Sequence, residues 1–482
     1  MVRDSHSVLL LLLLCLLLLC PVESARAASA FSQGMAAFNR GDFAAAVEQF
    51  RAAARDHPED AAVLAWLGAA QLRAGQHEDA VTALTKAIEL DPKQPEAHDN
   101  LGSAYWALGR AKQAVEHYQE AVFLQPHYAQ SHYNLGTVYL SLGDVEQAAG
   151  EFSVAVELDP ENAHARNNLG VCCERADKLP DAIAAYRGAV ELEPKNEAFR
   201  LNLALALSSA GNDDEAAKHL SQLVAADSKD ASVYAHLGLI RFRRGDHERA
   251  AEAFRRATEL NPESAAAYYN LGLCERRLGR SEEARAAFRK AAELNPKAAN
   301  AAINLGALEL DEGNAAAAVD HFASALKADP ESYKAAFNLG LSYARLGKDE
   351  DAIRVWCGLV ERVPEDAAAR EALASTYFRL HRYDDARREY LAFLKLRPKD
   401  VAAYNNLGII YEEFGQFDEA VNAYRSALEI EPSYARAHNN LGVLYERQRK
   451  IELAMAEYRA ALEADPNLED ARFNLDRLES AE

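Results

Sequence analysis

Residues 265–298 read AAAYYNLGLCERRLGRSEEARAAFRKAAELNPKA, and the spacing inside this stretch decides the fold. Tyr268, Leu271 and Gly272 stand three or four apart, so they share one face of a helix. Gly279 ends that helix, because glycine accepts the left-handed backbone of a helix terminus. Ala284, Phe288 and Ala291 repeat the same spacing on a second helix, which runs to Leu294 and is closed by Asn295-Pro296. Gly272 and Ala284 let the two helices approach, while Leu271 and Phe288 fill the space toward neighbouring hairpins. One such hairpin cannot bury its apolar face alone, whereas a stack of them can.

The stack is written along the chain. From Ala27 to Leu468 the pattern returns every 34 residues for thirteen rounds without an insertion, covering 442 of 482 residues. Alanine recurs in all thirteen rounds, from Ala46 and Ala80 to Ala420 and Ala454, and eleven rounds carry glycine at the eighth place, from Gly34 to Gly442. Twelve close on a proline, from Pro58 to Pro466, with Ser228 as the exception. Places below are counted from the first residue of each round. Almost nothing is left over for a catalytic domain, and no HExxH or GxSxG motif appears, so the chain reads as noncatalytic and without a cofactor.

Tyr404, Leu407, Gly408, Tyr411, Ala420, Tyr424, Ala427 and Pro432 reproduce a known signature, and on these residues the chain resembles the tetratricopeptide repeat. The resemblance covers Ala27 to Leu468. It implies an all-α fold, a right-handed superhelical solenoid of antiparallel helix pairs, with a concave groove that holds peptides or protein segments. The lysine and asparagine clamp of chaperone-binding members is missing, since places two and five carry pairs such as His164 with Asn167 and Ala198 with Leu201, and Lys334 alone does not rebuild it.

The organisation expected is a signal peptide or uncleaved anchor over 1–27, thirteen repeats over 28–468, and a capping helix over 469–482. Val8 to Leu19 is a leucine run preceded by Arg3 and His6, and Ala25-Arg26-Ala27 offers a small-x-small cleavage pattern, with Ala28-Ser29-Ala30 as a second choice. Cleavage, retention as a membrane anchor and lipidation at Cys20 are left open by these residues, the apolar stretch being short beside a span of about 20. Export to the periplasm or the extracellular space is the expectation. With 53 basic and 74 acidic side chains the formal charge is −21, which repels nucleic acid. The partners expected are therefore other proteins, bound through extended segments, and the membrane only through an uncleaved N-terminal segment. Oligomeric state is not legible. Cys172, Cys173, Cys274 and Cys357 show no metal or CxxC spacing and are expected to be packing residues.

Asparagine fills the sixth place of the first helix in nine rounds: Asn100, Asn134, Asn168, Asn202, Asn270, Asn304, Asn338, Asn406 and Asn440. An amide offers both a donor and an acceptor, so a ladder of them could grip the backbone of an extended peptide without reading its side chains. The arrangement is similar to the asparagine ladder in the repeat domain of O-linked N-acetylglucosamine transferases, although no transferase domain follows here. The alternative is that these amides hold neighbouring repeats together. Place nine is apolar at Val171, Leu205, Leu239, Leu273, Leu341, Ile409 and Val443. Near the first-helix ends Arg175, Arg243, Arg244, Arg276, Arg277, Arg345 and Arg379 accumulate, either as a basic strip for an acidic and apolar partner or as simple complements to the helix dipole. Trp66 and Trp106 are candidate apolar anchors in the groove or packing residues. Larger residues at close contacts, namely Ala204 and Ala374 at place eight and Leu223, Leu359 and Phe393 at place twenty-seven, predict looser joints near 197–230 and 359–400. The leading functional reading is an exported scaffold that holds protein segments; the alternative is a regulatory or targeting subunit of an envelope enzyme such as a glycosyltransferase or polysaccharide-export complex.

Overall fold

The computed structural model describes residues 29–480. The apolar run Val8 to Leu19, and with it the signal, anchor and lipidation alternatives, lies outside the described residues. Among the described residues there are helices and no strands. They are numbered from α1 (residues 29–39) and α2 (Phe43–Asp56) to α27 (Glu469–Glu479), so odd numbers are first helices and even numbers second helices. The 34-residue register holds to the residue, with first helices starting at Ala61, Pro95 and Ala129 and onward to Ala435, and second helices at Phe43, His77 and Ala111 and onward to Ile451. The chain forms two units divided after Ile240. Within each, helices pair in sequence as an all-α solenoid, and no helix of the described residues is long and apolar enough to cross a membrane.

Local chemistry sets the helix ends. Asp60 accepts the N–H groups of Ala62 and Val63 at 3.0 and 3.2 Å, which satisfies two of the orphan donors at the start of the next helix. The turn inside each hairpin requires a left-handed residue at place fifteen: Gly279 sits at φ +75°, and where glycine is lacking Asp177, His381 and Arg449 hold φ between 56° and 59°. Place eight is glycine for a different reason. A Cβ on Gly272 would stand 2.7 Å from the Phe288 ring, and one on Gly408 would stand 2.4 Å from Tyr424, so the aromatic of place twenty-four seats directly on bare first-helix backbone.

The departure at Phe393 acts as expected and the one at Leu359 does not. α22 (Tyr383–Leu396) and α23 (Val401–Glu413), joined after Phe393, approach each other least among the second-to-first helix pairs of their unit, while α12 (Asp213–Ala225) leads to α13 (Ala231–Arg243) after Leu223. After Leu359 the following pair packs as closely as where the same place is Ala291, so leucine is tolerated there. In round six the loop also changes: without proline, Asp227 turns left-handed at φ 58° and Ser228 is buried, its hydroxyl donating to Glu197 at 2.9 Å. Cys172 and Cys274 are fully buried, and burial pushes their thiols up to about 11 and about 12, which suits packing rather than nucleophilic chemistry. The terminal α27 buries Ala471, Leu475 and Leu478 and is polar outward except for Phe473.

A recurring clip ties several hairpins at places four and twenty-three. His132 meets Glu151 at 2.6 Å and the Pro126 carbonyl at 3.0 Å, and His438 does the same with Glu457 at 2.6 Å and Pro432 at 3.0 Å. In round three the acid is replaced, and His98 Nδ1 lies 3.2 Å from His117 Nδ1 while His98 Nε2 contacts the Pro92 carbonyl at 3.2 Å. Burial, and then the proximity of His98, lowers the His117 pKa against the opposing pull of Glu116 and Glu120. The unfolded chain therefore takes up this proton first. The stabilisation is complete above the ordinary histidine value of about 6.5 and drains away as pH falls below it. Denaturant unfolding at pH 7.5 and 5.5 should show a larger acid loss in the wild type than in His117→Gln; equal losses would refute the role of the pair. His438, raised by its bond to Glu457, has the opposite sign: its contribution is full below about 6.5 and is lost as pH rises through its folded value.

Candidate functional site

All nine asparagines of the sixth place are half-buried on first helices, but they are not equivalent. Asn202 Nδ2 donates to Asn167 Oδ1 at 2.9 Å and Asn440 Nδ2 to Asn405 Oδ1 at 3.0 Å, each reaching the fifth place of the preceding round. Asn134 reaches Asp99 at 3.3 Å and Asn304 reaches the Tyr269 hydroxyl at 3.4 Å in the same way. The terminal helix continues the series with Asn474 on Asn439 at 3.3 Å. Asn338 instead turns to its own helix, donating to the Lys334 carbonyl at 2.9 Å, Asn406 donates to Tyr390 at 2.9 Å, and Asn168 accepts weakly from Asn167 at 3.4 Å. Asn100 and Asn270 make no hydrogen bond among the described residues. For Asn100 the reason is legible: the fifth place before it is Ala65, which offers no acceptor.

The free amide of Asn100 lies where the first helices are hollowed. α3 (Ala61–Arg73) and α5 (Pro95–Ala107), with α1, enclose a cavity of about 350 Å³ walled by Phe38, Trp66, Ala69, Arg73 and Asn100. A second cavity of about 710 Å³ adjoins it along α5 and α7 (Ala129–Leu142), sharing Arg73, Glu96 and Asn100 and adding Asp99, Tyr128 and Asn134. The first is aromatic, with Trp66 edge-on to Phe38 at 5.4 Å and stacked near Phe50 at 6.2 Å. The second is polar. Asp99 accepts from Ser131 at 2.7 Å as well as from Asn134, yet burial raises its pKa against those bonds and against Arg73. Trp66 thus lines the hollow, whereas Trp106 is exposed and lines neither cavity.

The arginines divide as well. Arg345 donates to the Leu310 carbonyl at 2.7 Å, Arg379 pairs with Asp349 at 2.5 Å, and Arg276 bonds Asn304 at 3.0 Å and Asp311 at 3.4 Å. Arg243 and Arg244, exposed at the end of α13, also have partners within the chain. Arg175 and Arg277 are exposed and make no ion pair among the described residues. The expected strip over rounds five to eleven is therefore largely engaged in structural contacts. Arg73, at the same thirteenth place in round two, was missed by looking only at where arginines cluster; the register alone would have found it. The half-buried apolar side chains of place nine, from Val171 to Val443, carry the same face along the later rounds.

Residues 22–271, just over half of the chain, match the family model for the C-terminal domain of cilia and flagella-associated protein 70, and tetratricopeptide-repeat models match 265–298, 303–367, 350–400, 371–429, 413–449 and 435–468. The chain belongs to the tetratricopeptide-repeat family. Its residues 22–271 fall in the branch which that C-terminal domain model describes. Among solved structures it is similar to MamA, at 26% identity over 36% of this chain and 94% of that one with a TM-score of 0.33. A tetratricopeptide repeat protein from Parabacteroides merdae matches at 20% identity over 52% and 99%, TM-score 0.37. The Cut9–Hcn1 hetero-tetramer of the APC/C matches at 17% over 94% and 96%, TM-score 0.34. No curated protein matches the chain. As a tetratricopeptide-repeat array the chain is a protein-interaction scaffold, and its partners are other proteins.

Proposed function

We propose that this array is an exported, noncatalytic scaffold that holds extended protein segments against its first helices, and that the hollow around Asn100 is a principal point of grip. The observation that carries the reading is the pair of adjoining cavities, one aromatic and one polar, that share Asn100 and Arg73, whose side chains make no hydrogen bond or ion pair among the described residues. An extended segment could lay an apolar side chain against Trp66, direct a carboxylate to Arg73 and give its backbone to the amide of Asn100. Export is supported by the leucine run and the small-residue cleavage pattern before Ala28.

The structure sharpens the test, because it separates amides with partners from amides without. Dodecapeptides selected on the purified chain should bind Asn100→Ala about ten-fold more weakly while its unfolding midpoint stays unchanged. Asn202→Ala, which unties Asn167, should instead lose about 1 kcal/mol of stability and leave that binding alone. Selected peptides that are indifferent to Asn100→Ala would overturn the grip.

A further inference from the structure

We infer that the chain carries a second docking surface, opening between second helices over a first-helix floor: a crevice between α22 and α24 (Phe417–Ile430), floored in part by α23, that takes a large apolar side chain from an amphipathic partner segment. The inference begins with two departures from the repeat. Place twenty-seven is alanine in ten rounds, from Ala53 to Ala461, but Phe393 in round eleven. Place twenty-five is polar in ten rounds, among them Arg51, Arg425 and Arg459, but Leu391 in round eleven. Phe393 is buried, and by standing where a methyl group normally fits it holds α22 away from α23.

The gap is not refilled. A cavity of about 540 Å³ lies over Leu394, Tyr404, Leu407 and Ala423, with Leu391 forming one wall at 42% exposure. Its size falls within the range of ligand-binding pockets, roughly 300–1,000 Å³, and its floor is apolar. The rim carries one charge of each sign on opposite walls, Lys395 on α22 and Glu419 on α24, and neither makes an ion pair among the described residues. These charges fix the occupant's chemistry and direction. A segment with a leucine or phenylalanine flanked by an acidic residue toward α22 and a basic residue toward α24 would fill the crevice and neutralise both rim charges; the reverse order would oppose like charges. This surface stands independently of the first-helix hollow.

The test uses the full chain and a displayed peptide library with one central phenylalanine or leucine and random flanks. Selection is made on the wild type with counter-selection on Leu391→Arg, arginine being the residue that six other rounds already place there, after its helical content is confirmed to be unchanged. Survivors should carry an acid on one side of the apolar residue and a base on the other, and should bind Leu391→Arg at least about ten-fold more weakly. A Lys395→Glu, Glu419→Lys double variant should prefer the same peptides with their flanking charges exchanged. Survivors with no charge bias would mean a merely greasy crevice and would overturn the proposal, as would an absence of peptides that distinguish the wild type from Leu391→Arg.

Discussion

Truncating Phe322 to alanine is expected to cost about 3–5 kcal/mol, the range for emptying a buried aromatic site. Phe322 on α18 (Ala315–Ala328) is fully buried, and its ring lies so close to Gly306 that a Cβ there would stand 2.8 Å away. That closeness is why the loss should be near the top of the range: Gly306 has no side chain to swing into the void, and its backbone is fixed in a helix. In a repeat array each hairpin contacts mainly its neighbours, so the damage should be local. Hydrogen exchange should quicken in α17 (Ala299–Asp311), α18 and α19 (Tyr333–Arg345) and fade beyond them. A drop of under about 1 kcal/mol in urea unfolding would mean that the slot collapses, and with it the account of why glycine and an aromatic recur together.

Gly408→Val tests the same contact from the other side. The new Cβ would meet Tyr424 at 2.4 Å, nearer than side-chain carbons come, so the ring or the helix must move. Overpacking of this kind costs about 1–3 kcal/mol, and we expect the upper end because Tyr424 is pinned at its far end by a 2.5 Å bond from its hydroxyl to Glu412. Gly408→Ala should cost less, since Ala374 occupies the same place in round eleven and is fully buried with Tyr390 at its partner place. The control is Gly415→Ala, where φ is +69° and nothing lies within 4 Å of the added carbon. It should lose only the backbone penalty of about 1 kcal/mol. If Gly415→Ala proves worse than Gly408→Val, backbone conformation and not close packing dominates these hairpins.

The repeat register placed every helix start because its signals are local. A proline stiffens the chain before all but one of the first helices from α3 on, a left-handed residue reverses it at place fifteen, and the three-and-four spacing of Leu271, Gly272, Ala284 and Phe288 marks the faces. The joint at Phe393 was legible too, as a large residue at a place meant for alanine, but the indifference of the joint at Leu359 was not. Whether a bulky side chain spreads two helices or is absorbed depends on how its neighbours repack.

The candidate site divides along the same line. The sequence by itself determined that nine asparagines stand at equivalent places on first helices, because spacing along a helix fixes which face a residue occupies. It could not, read as a list of places, decide which of them are at liberty to hold a ligand. Their partners come from the preceding round: Asn202 finds Asn167 and Asn440 finds Asn405, whereas the fifth place before Asn100 is Ala65, which offers no acceptor. Likewise the thirteenth-place arginines form one column in sequence, yet Arg345 and Arg379 are held by neighbouring helices and Arg73 opens onto the hollow beside Trp66. A helix face is set by bonds within a few residues, but whether a polar group on that face is free is set by a partner some thirty-five residues away, and only packing brings the two together.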